Sequence, residues 1–396
     1  MAGGRPGCRK NRGMNVDRPS ALLGGLSPAA FMRRHWQKKP LLVRQALAGE
    51  EASAMLSRDE VFALAARDDV RSRLVQREGA RWSVRHGPLP RRAMPGVTRP
   101  GWTLLVQGVD LHLRAARALL DAFRFVPDVR LDDLMVSWAS DGGGVGPHLD
   151  SYDVFLLQLQ GRRRWRIGPA ADRSFRAGLP LKILRRFEPD EEWLLEPGDM
   201  LYLPPGHAHD GVAVGGGCLT ASIGFRAPDD ATLAGEVLQR LADPDDEGVL
   251  YADPRQPATR KPGAIPDGLT YFATRAVLSR MAKGGFERAV GEVLSEPGAQ
   301  VWFAAGTPLR AGAGVAVAAA TRLLYDRRHV FINGESFVAS GTDQRLLQKL
   351  ADKRRLSGQD VARFSDAARE WVGAWHEQGW LTPERPDMTD TPERRP

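Results

Sequence analysis

Short apolar runs, many with polar residues in alternation, fill the middle of the chain, and amphipathic segments flank them. Asp153 is followed by Val-Phe-Leu-Leu-Gln-Leu-Gln, which predicts a buried strand broken at Gly161. Arg162 to Ile167 predicts its hairpin return. Side chains alternate along a strand, so Arg162, Arg164 and Arg166 share one face and Arg163, Trp165 and Ile167 the other. Trp165 and Ile167 belong inside, and Arg163 is carried inward with them. A register slip of one residue would bury Arg162 or Arg164 instead. Further strands are predicted at Pro40 to Val43, Arg73 to Gln76, Arg81 to Arg85, Trp102 to Gly108, residues 132–138, Met200 to Leu203 and Cys218 to Phe225.

Helices frame these strands. Ser27 is a natural N-cap with Pro28 at the first helical position. Ser57 to Glu60 has the spacing of a capping box. His112 to Phe123 is amphipathic, with Leu111, Ala115, Leu119 and Phe123 on one stripe. Later, Ala231 to Leu241 and Thr270 to Leu294 are helical, the second with a break at Gly284-Gly285. These helices are apolar on one side and require a partner. Residues 242–267 read as a connection rich in Pro, Asp and Gly. Val330 to Val338 is a hairpin turning at Asn333-Gly334, and helices follow at Asp343 to Lys353 and Asp366 to Gln378. Strands first and helices afterwards make an α+β chain.

Composition narrows the class. The chain has 396 residues, enough for two or three domains, and 42% of them are apolar. No apolar run approaches the eighteen residues a membrane span needs. The first residues are polar and basic and lack a signal-peptide core, so the expected location is cytoplasmic. Residues 1–18 read as a disordered basic tail, in which Met14 is an alternative start. Two cysteines, Cys8 and Cys218, make neither a disulfide framework nor a thiolate metal site. The net charge of +8 favours polyanions, so a weak RNA contact is expected. The basic run Lys349, Lys353, Arg354 and Arg355 reads as a solvated helix face, with phosphate contact as the alternative.

One stretch carries chemistry. Gly142, Gly143, Gly144 and Gly146 lead into Pro147-His148-Leu149-Asp150. In extended chain His148 and Asp150 point to the same side and reach one metal together. About sixty residues later, Glu196 to Asp199 forms a turn, Met200 to Leu203 a strand, and Pro204-Pro205-Gly206 a second turn that delivers His207 and His209. One of those two histidines suffices. Two imidazoles and one carboxylate leave three metal positions open, which suits non-haem Fe(II) binding a co-substrate and O2 together. An isolated H-x-D is also a common surface accident. A buried Arg163 requires an anion, either a structural carboxylate or a bound dicarboxylate. His35, His86 and His112 lack ligand spacing and read as packing or surface residues.

Four segments together resemble the JmjC-type ribosomal oxygenases: GGGVGPHLDSYDVFLLQLQGRRRW, LEPGDMLYLPPGHAHDG, IGFRAP at 223–228 and HWQKKPLLVRQAL at 35–47. The resemblance spans about residue 20 to about 383. It is nearest to the bacterial branch that hydroxylates an arginine of large-subunit ribosomal protein sixteen. It implies a jelly-roll (cupin-like) double-stranded β-helix of JmjC type over 19–228, a helical dimerisation region over 229–300, a winged-helix-like domain over 301–383 and a polar tail over 384–396. A homodimer is expected. The family pattern places Fe(II) on His148, Asp150 and His209, and makes Arg163, fifteen residues after the first ligand, the basic partner of 2-oxoglutarate. His207 departs from the pattern, which has an apolar residue there. Ser137 and Ser222 are candidates to hold a co-substrate carboxylate, and Tyr152 and Trp165 to wall the site. Asp141, seven residues before His148, is a candidate partner for a substrate arginine, or else a turn aspartate. The alternatives are a ribosomal-protein histidine hydroxylase, another metal-dependent cupin enzyme, and a winged-helix regulator that binds nucleic acid.

Overall fold

The structure is a computed structural model that describes residues 15–242, 249–254, 256–257, 261, 263–282, 285–298 and 301–384. The expected basic tail lies largely outside the described residues, and so do all but the first residue of the polar tail, the Gly284 half of the predicted helix break and parts of the predicted connection. The chain forms two compact units that divide after Ala227.

The first unit begins as its capping residues dictate. Helix α1 (Pro28–Arg34) has the Ser27 hydroxyl accepting the Ala30 N–H at 3.2 Å and Pro28 at its start. Strand β1 (Leu41–Val43) and helix α2 (Gly49–Met55) follow. Helix α3 (Arg58–Ala65) opens with the reciprocal Ser57–Glu60 box. Next come β2 (Ser72–Glu78), β3 (Arg81–His86), β4 (Trp102–Val106) and helix α4 (Arg114–Asp121). The stripe that α4 buries is Ala116, Leu119 and Leu120, continued by Phe123, while Leu111 is exposed. The helix starts only at Arg114, so Leu111 never joins its turn. Strands β5 (Leu131–Ala139), β6 (Val154–Pro169), β7 (Glu191–Leu195), β8 (Met200–Leu203) and β9 (His207–Phe225) complete the unit. Their order is β1-β8-β6-β9-β5-β4-β2-β3, all antiparallel, with β7 on the free side of β6.

The expected hairpin at Gly161 is not formed. β6 continues as one strand and stays paired to β9 from Val154 opposite Gly224 to Pro169 opposite His207. Gly161 has φ +66° and sits where the register shifts on both sides of Gln160. A glycine in that backbone region serves a bulge as readily as a turn. The partner strand bends at the same level, where Gly215 and Gly216 have φ of +80° and +113°. A Cβ at Gly161 would meet the Gly217 carbonyl oxygen at 2.4 Å, so the two bends nest. The predicted strand Cys218 to Phe225 is therefore the far half of β9 rather than a separate strand.

The bulges exchange the faces of β6. Before them Phe155, Leu157 and Leu159 meet the helices, in a core shared with Phe31, Leu64 and Leu119. After them Trp165 and Ile167 join Val154 and Leu156 on the inside, against Leu195, Leu201 and Leu203. The result is a two-layered antiparallel jelly roll, helix-covered on one side and with an interior of its own.

The second unit starts with α5 (Asp230–Ala242), α6 (Asp267–Met281) and α7 (Gly285–Ser295). α5 and α7 pack through Val237, Ala289 and Val293. Strands β10 (Val315–Val317), β11 (Leu323–Tyr325), β12 (His329–Ile332) and β13 (Glu335–Val338) follow, the last two joined at Asn333-Gly334 with φ of +49° and +92°. Then come α8 (Gly341–Lys353), β14 (Arg355–Leu356), α9 (Gly358–Val361), α10 (Asp366–Glu377) and β15 (Leu381–Pro383). Leu346, Leu347, Leu350, Val372 and Trp375 make the core of this winged-helix module. α7 packs on β12, where Gly291 leaves room for the Phe331 ring, so the structure does not separate at residue 300. Within the basic run, Lys349 pairs with Asp360 at 2.7 Å and Arg354 donates to the Ala318 carbonyl at 2.8 Å. These side chains are engaged within the module. No helix among the described residues is long and apolar enough to cross a membrane.

Candidate metal centre

His148 lies just outside β6, in an isolated bridge to β9 rather than in a regular strand. Its N–H donates to the His209 carbonyl at 3.0 Å, and the His209 N–H donates to the His148 carbonyl at 3.1 Å. This reciprocal pair fixes the two segments at the level of their histidines. Asp150 follows on the same side, its carbonyl accepting the Gly206 N–H at 2.7 Å. The Pro-Pro-Gly turn that precedes His207 is thereby tied to the H-x-D segment.

Both imidazoles are oriented by backbone carbonyls. His148 Nδ1 lies 2.9 Å from the Gly146 oxygen, and His209 Nδ1 lies 3.0 Å from the His207 oxygen. A carbonyl only accepts, so each ring carries its proton on Nδ1 and turns a free Nε2 lone pair inward. Those Nε2 atoms lie 3.8 Å and 3.5 Å from the Asp150 carboxylate oxygens, too long for hydrogen bonds. One ligand atom from each of the three residues falls within 4.8 Å of the others, as a group that holds a metal ion requires.

The electrostatics of the three residues suits a cation. Burial, reinforced by the neighbouring His148, pushes the His209 imidazole well below its ordinary value, so this ring is neutral. Burial raises the Asp150 carboxyl, with His148 and a hydrogen bond from Tyr152 opposing the rise. Of the two histidines beyond the second turn, only His209 joins the group. His207 contributes its carbonyl, and its half-buried imidazole is lowered by burial.

Arg163 faces inward, as the alternation of its strand predicts, and is 5% exposed. Its Nη1 donates to Ser137 Oγ at 3.2 Å and its Nε to Cys218 Sγ at 3.4 Å. Nη2 is buried with no partner, and among the described residues no carboxylate lies within salt-bridge distance of the guanidinium. Trp165 Nε1, two residues along the same face, is also buried and unpartnered. Thr220 Oγ1 donates to Gln158 Oε1 at 3.0 Å, and Gln158 Nε2 donates to Cys218 Sγ at 3.2 Å. Ser222 follows Thr220 on the same face of β9 and is buried. Sequence reasoning missed Gln158, Cys218 and Thr220. Their signal was a polar residue at every second position of otherwise apolar strands.

The remaining candidates divide. Tyr152, whose hydroxyl favours the ionised Asp150 carboxyl, is 37% exposed and stands at the edge of the triad. Its ring approaches Gly224 together with the Asp133 carboxyl. Burial, with Asp132 beside it, pushes Asp133 up to about 7, and its carboxylate accepts the Gly108 N–H at 2.9 Å. Asp141 is not beside the triad. It is exposed, and its carboxylate accepts the Gly215 N–H at 2.8 Å. Gly215 lies six residues along β9 from His209, roughly 20 Å at strand rise. Asp141 lines a depression of about 550 Å³ with Ser57, Gln160 and Gly216. Its glycine neighbours form a tight turn, and the carboxylate is spent on holding it to β9.

Comparison with known proteins agrees with this architecture. Residues 118–233 match the JmjC domain family and residues 280–382 the ROXA-like winged helix. The chain is 41% identical over 244 residues to ribosomal protein uL16 3-hydroxylase of Escherichia coli, covering 59% of this chain and 62% of that one. It is 36% identical to a probable ribosomal oxygenase of Haemophilus influenzae, covering 58% and 55%. The match thus spans about three fifths of these curated relatives. A solved structure of E. coli YcfD aligns with TM-score 0.80 and 31% identity, over 89% of this chain and 97% of that one. The same protein, solved with cobalt and 2-oxoglutarate, aligns with TM-score 0.76 and 30% identity over 91% and 99%. The chain belongs to the JmjC ribosomal oxygenases.

Proposed function

We propose that this chain is a 2-oxoglutarate- and Fe(II)-dependent protein hydroxylase whose substrate is an arginine side chain of a large-subunit ribosomal protein. The observation that carries the reading is Arg163: a guanidinium walled into the jelly roll with one nitrogen unpartnered and, among the described residues, no carboxylate within salt-bridge distance. Removing a guanidinium from water without a counter-ion is expensive, so the site is completed by an anion from outside. A dicarboxylate fits, one end on Arg163 and Ser137 and the other toward the triad. Two imidazoles and a carboxylate on one side of the ion suit Fe(II) and leave positions for 2-oxoglutarate and O2. When bound, Fe(II) and 2-oxoglutarate supply the chemistry that places one oxygen atom of O2 in an aliphatic C–H bond and the other in succinate, with CO2 released.

The chain's own groups orient and exclude. His148, Asp150 and His209 hold the metal, and the carbonyls of Gly146 and His207 keep both imidazoles in the ligating tautomer. Gln158, Thr220 and Ser222 line the far end of the co-substrate's space, with the Cys218 thiol between them. Tyr152, beside Asp150, and the Asp133 carboxyl near it would meet the incoming guanidinium. α6 has no buried residue and exposes Tyr271, Val277 and Leu278, which supports a homodimer assembled through this helix. The enzyme works in the cytoplasm, on ribosomal protein.

The test loads the protein with Fe(II) anaerobically, adds 2-oxoglutarate, O2 and ribosomal-protein peptides, and reads succinate and peptide mass together. The expected result is one added oxygen on an arginine peptide, abolished by His148→Ala and by Arg163→Ala. Oxidation of histidine peptides alone would replace the substrate. Fully loaded protein that forms no succinate with any peptide would overturn the reaction.

A further inference from the structure

The glycine-rich run that delivers His148 has a second side. The backbones of Gly142, Gly144 and Gly146 line a cavity of about 240 Å³ on which four guanidinium-bearing residues converge. Arg77 comes from β2, Arg166 from β6, and Arg176 and Arg185 from the segment between β6 and β7. One carboxylate, Asp210, lines the cavity, and Arg166 engages it in an ion pair. Three positive charges remain in excess. Among the described residues no carboxylate comes within ion-pair distance of Arg176, and Arg185 shares only the longer-range field of Asp172. The Arg77 guanidinium lies 5.4 Å over the ring of Trp82, which lines the same cavity.

This groove shares a wall with the metal centre. The Pro147 carbonyl, one residue before His148, accepts the Leu184 N–H at 2.8 Å. Gly146, whose carbonyl orients the His148 ring, is among the residues that line the groove. A cationic rim that shares a wall with a site that receives an arginine side chain repels a bare cationic peptide. It attracts that peptide when the substrate arrives with a polyanion attached.

We propose that this groove binds single-stranded RNA, seating phosphates on Arg77, Arg176 and Arg185 and a base against Trp82. The proposal rests on the ribosomal-protein reading, since proteins of that class are RNA-bound. Planar guanidinium forks match phosphate oxygens, and an aromatic face beside them gives a base a stacking platform. An acidic protein segment satisfies the arginines but brings no planar group to stack on Trp82.

The test titrates the full-length protein with a short labelled oligouridylate and with polyglutamate of equal charge, between about 50 and 200 mM salt. Three phosphate contacts on a single strand predict a log–log salt slope near −2, at about 0.7 per contact. The double variant Arg176→Ala/Arg185→Ala should lose more than half of that slope and bind at least about tenfold more weakly. Trp82→Ala should weaken RNA about tenfold at unchanged slope, because stacking carries no counterion. The control Arg33→Ala/Arg34→Ala removes two exposed charges from the end of α1 and should stay within about twofold of wild type. Equal losses in the groove and control variants would reduce the binding to bulk charge and overturn the site. Polyglutamate bound as tightly as RNA would overturn the class of partner. The groove variant should hydroxylate isolated peptide at least as fast as wild type, because less positive charge opposes the peptide, and this shows that it is folded. RNA binding lost with peptide hydroxylation intact supports the groove. Wild-type protein that binds RNA there and hydroxylates no peptide sinks the functional reading and leaves the groove standing.

Discussion

Where β6 and β9 meet the helices, Phe155, Leu157, Leu159, Leu219, Ala221, Ile223 and Phe225 are all fully buried and all apolar. The other face of the same two strands mixes the apolar Val154, Leu156, Trp165 and Ile167 with Gln158, Arg163, His209, Cys218, Thr220 and Ser222, also buried. The backbone is shared and the burial is similar, but only this face is polar in part. An apolar face needs only volume and shape. A buried polar face costs stability unless every group is satisfied, and Arg163 Nη2 and Trp165 Nε1 are not. Under the proposed function, that polarity meets a ligand.

The comparison breaks most visibly at Arg163. Arg163→Met should raise the 2-oxoglutarate concentration needed for half-maximal succinate formation by roughly 100- to 1000-fold, the effect of removing one partner of a buried charge pair. The same variant should keep or raise Tm in the ligand-free protein, because methionine fills the space without an unpaired charge. Phe155→Ala should do the reverse. Its ring packs 4.7 Å from Phe123 and 4.9 Å from Tyr202, centroid to centroid, and its loss should cost about 3–5 kcal/mol in urea unfolding. Turnover per folded molecule should stay near wild type. An unchanged Tm in Phe155→Ala, or an unchanged 2-oxoglutarate dependence in Arg163→Met, would erase the distinction between the faces.

Smaller changes sharpen it. Gln158→Leu removes the partner of Thr220 and one donor to Cys218, and should weaken 2-oxoglutarate binding about tenfold in calorimetry. Asp133→Asn tests the rim through pH. The folded Asp133 carboxyl is held near 7, against about 3.9 in an unfolded chain. The native state therefore keeps its proton where the unfolded state has lost it. That contribution is complete below about pH 4 and is lost as pH rises toward 7. Asp133→Asn should raise Tm by a few degrees at pH 8 and by less at pH 4.5. A Tm difference that grows toward acid would contradict the buried-carboxyl assignment.

Much of the inner face was legible before any coordinates. Arg163 follows from alternation with Trp165 and Ile167, and His148 and Asp150 from the same-side rule. The choice of His209 over His207 came from the family pattern, and the structure supplies its physical side: the His207 carbonyl is what orients the His209 ring. The errors share a cause. Gly161 looks like a chain reversal, because a positive-φ glycine signals a departure from regular strand without saying whether the strand resumes. Asp141 was placed beside the metal by its nearness in sequence to His148, yet the intervening glycines turn it toward Gly215. β7 escaped notice because Glu-Glu-Trp-Leu-Leu has no alternation, and pairing to β6 alone makes it a strand. Short-range pattern fixes which way a side chain points. It does not fix which distant segment bends to meet it.

The reciprocal backbone pair between His148 and His209 has a consequence in time. The two residues are sixty-one positions apart, so during synthesis the first is made several seconds before the second, at about 5–20 residues per second. Until β9 exists and zips against β6, the nascent chain offers at most His148 and Asp150. A metal that needs all three ligands can thus be held only after β6 and β9 have paired, and its occupancy would be a record of completed topology.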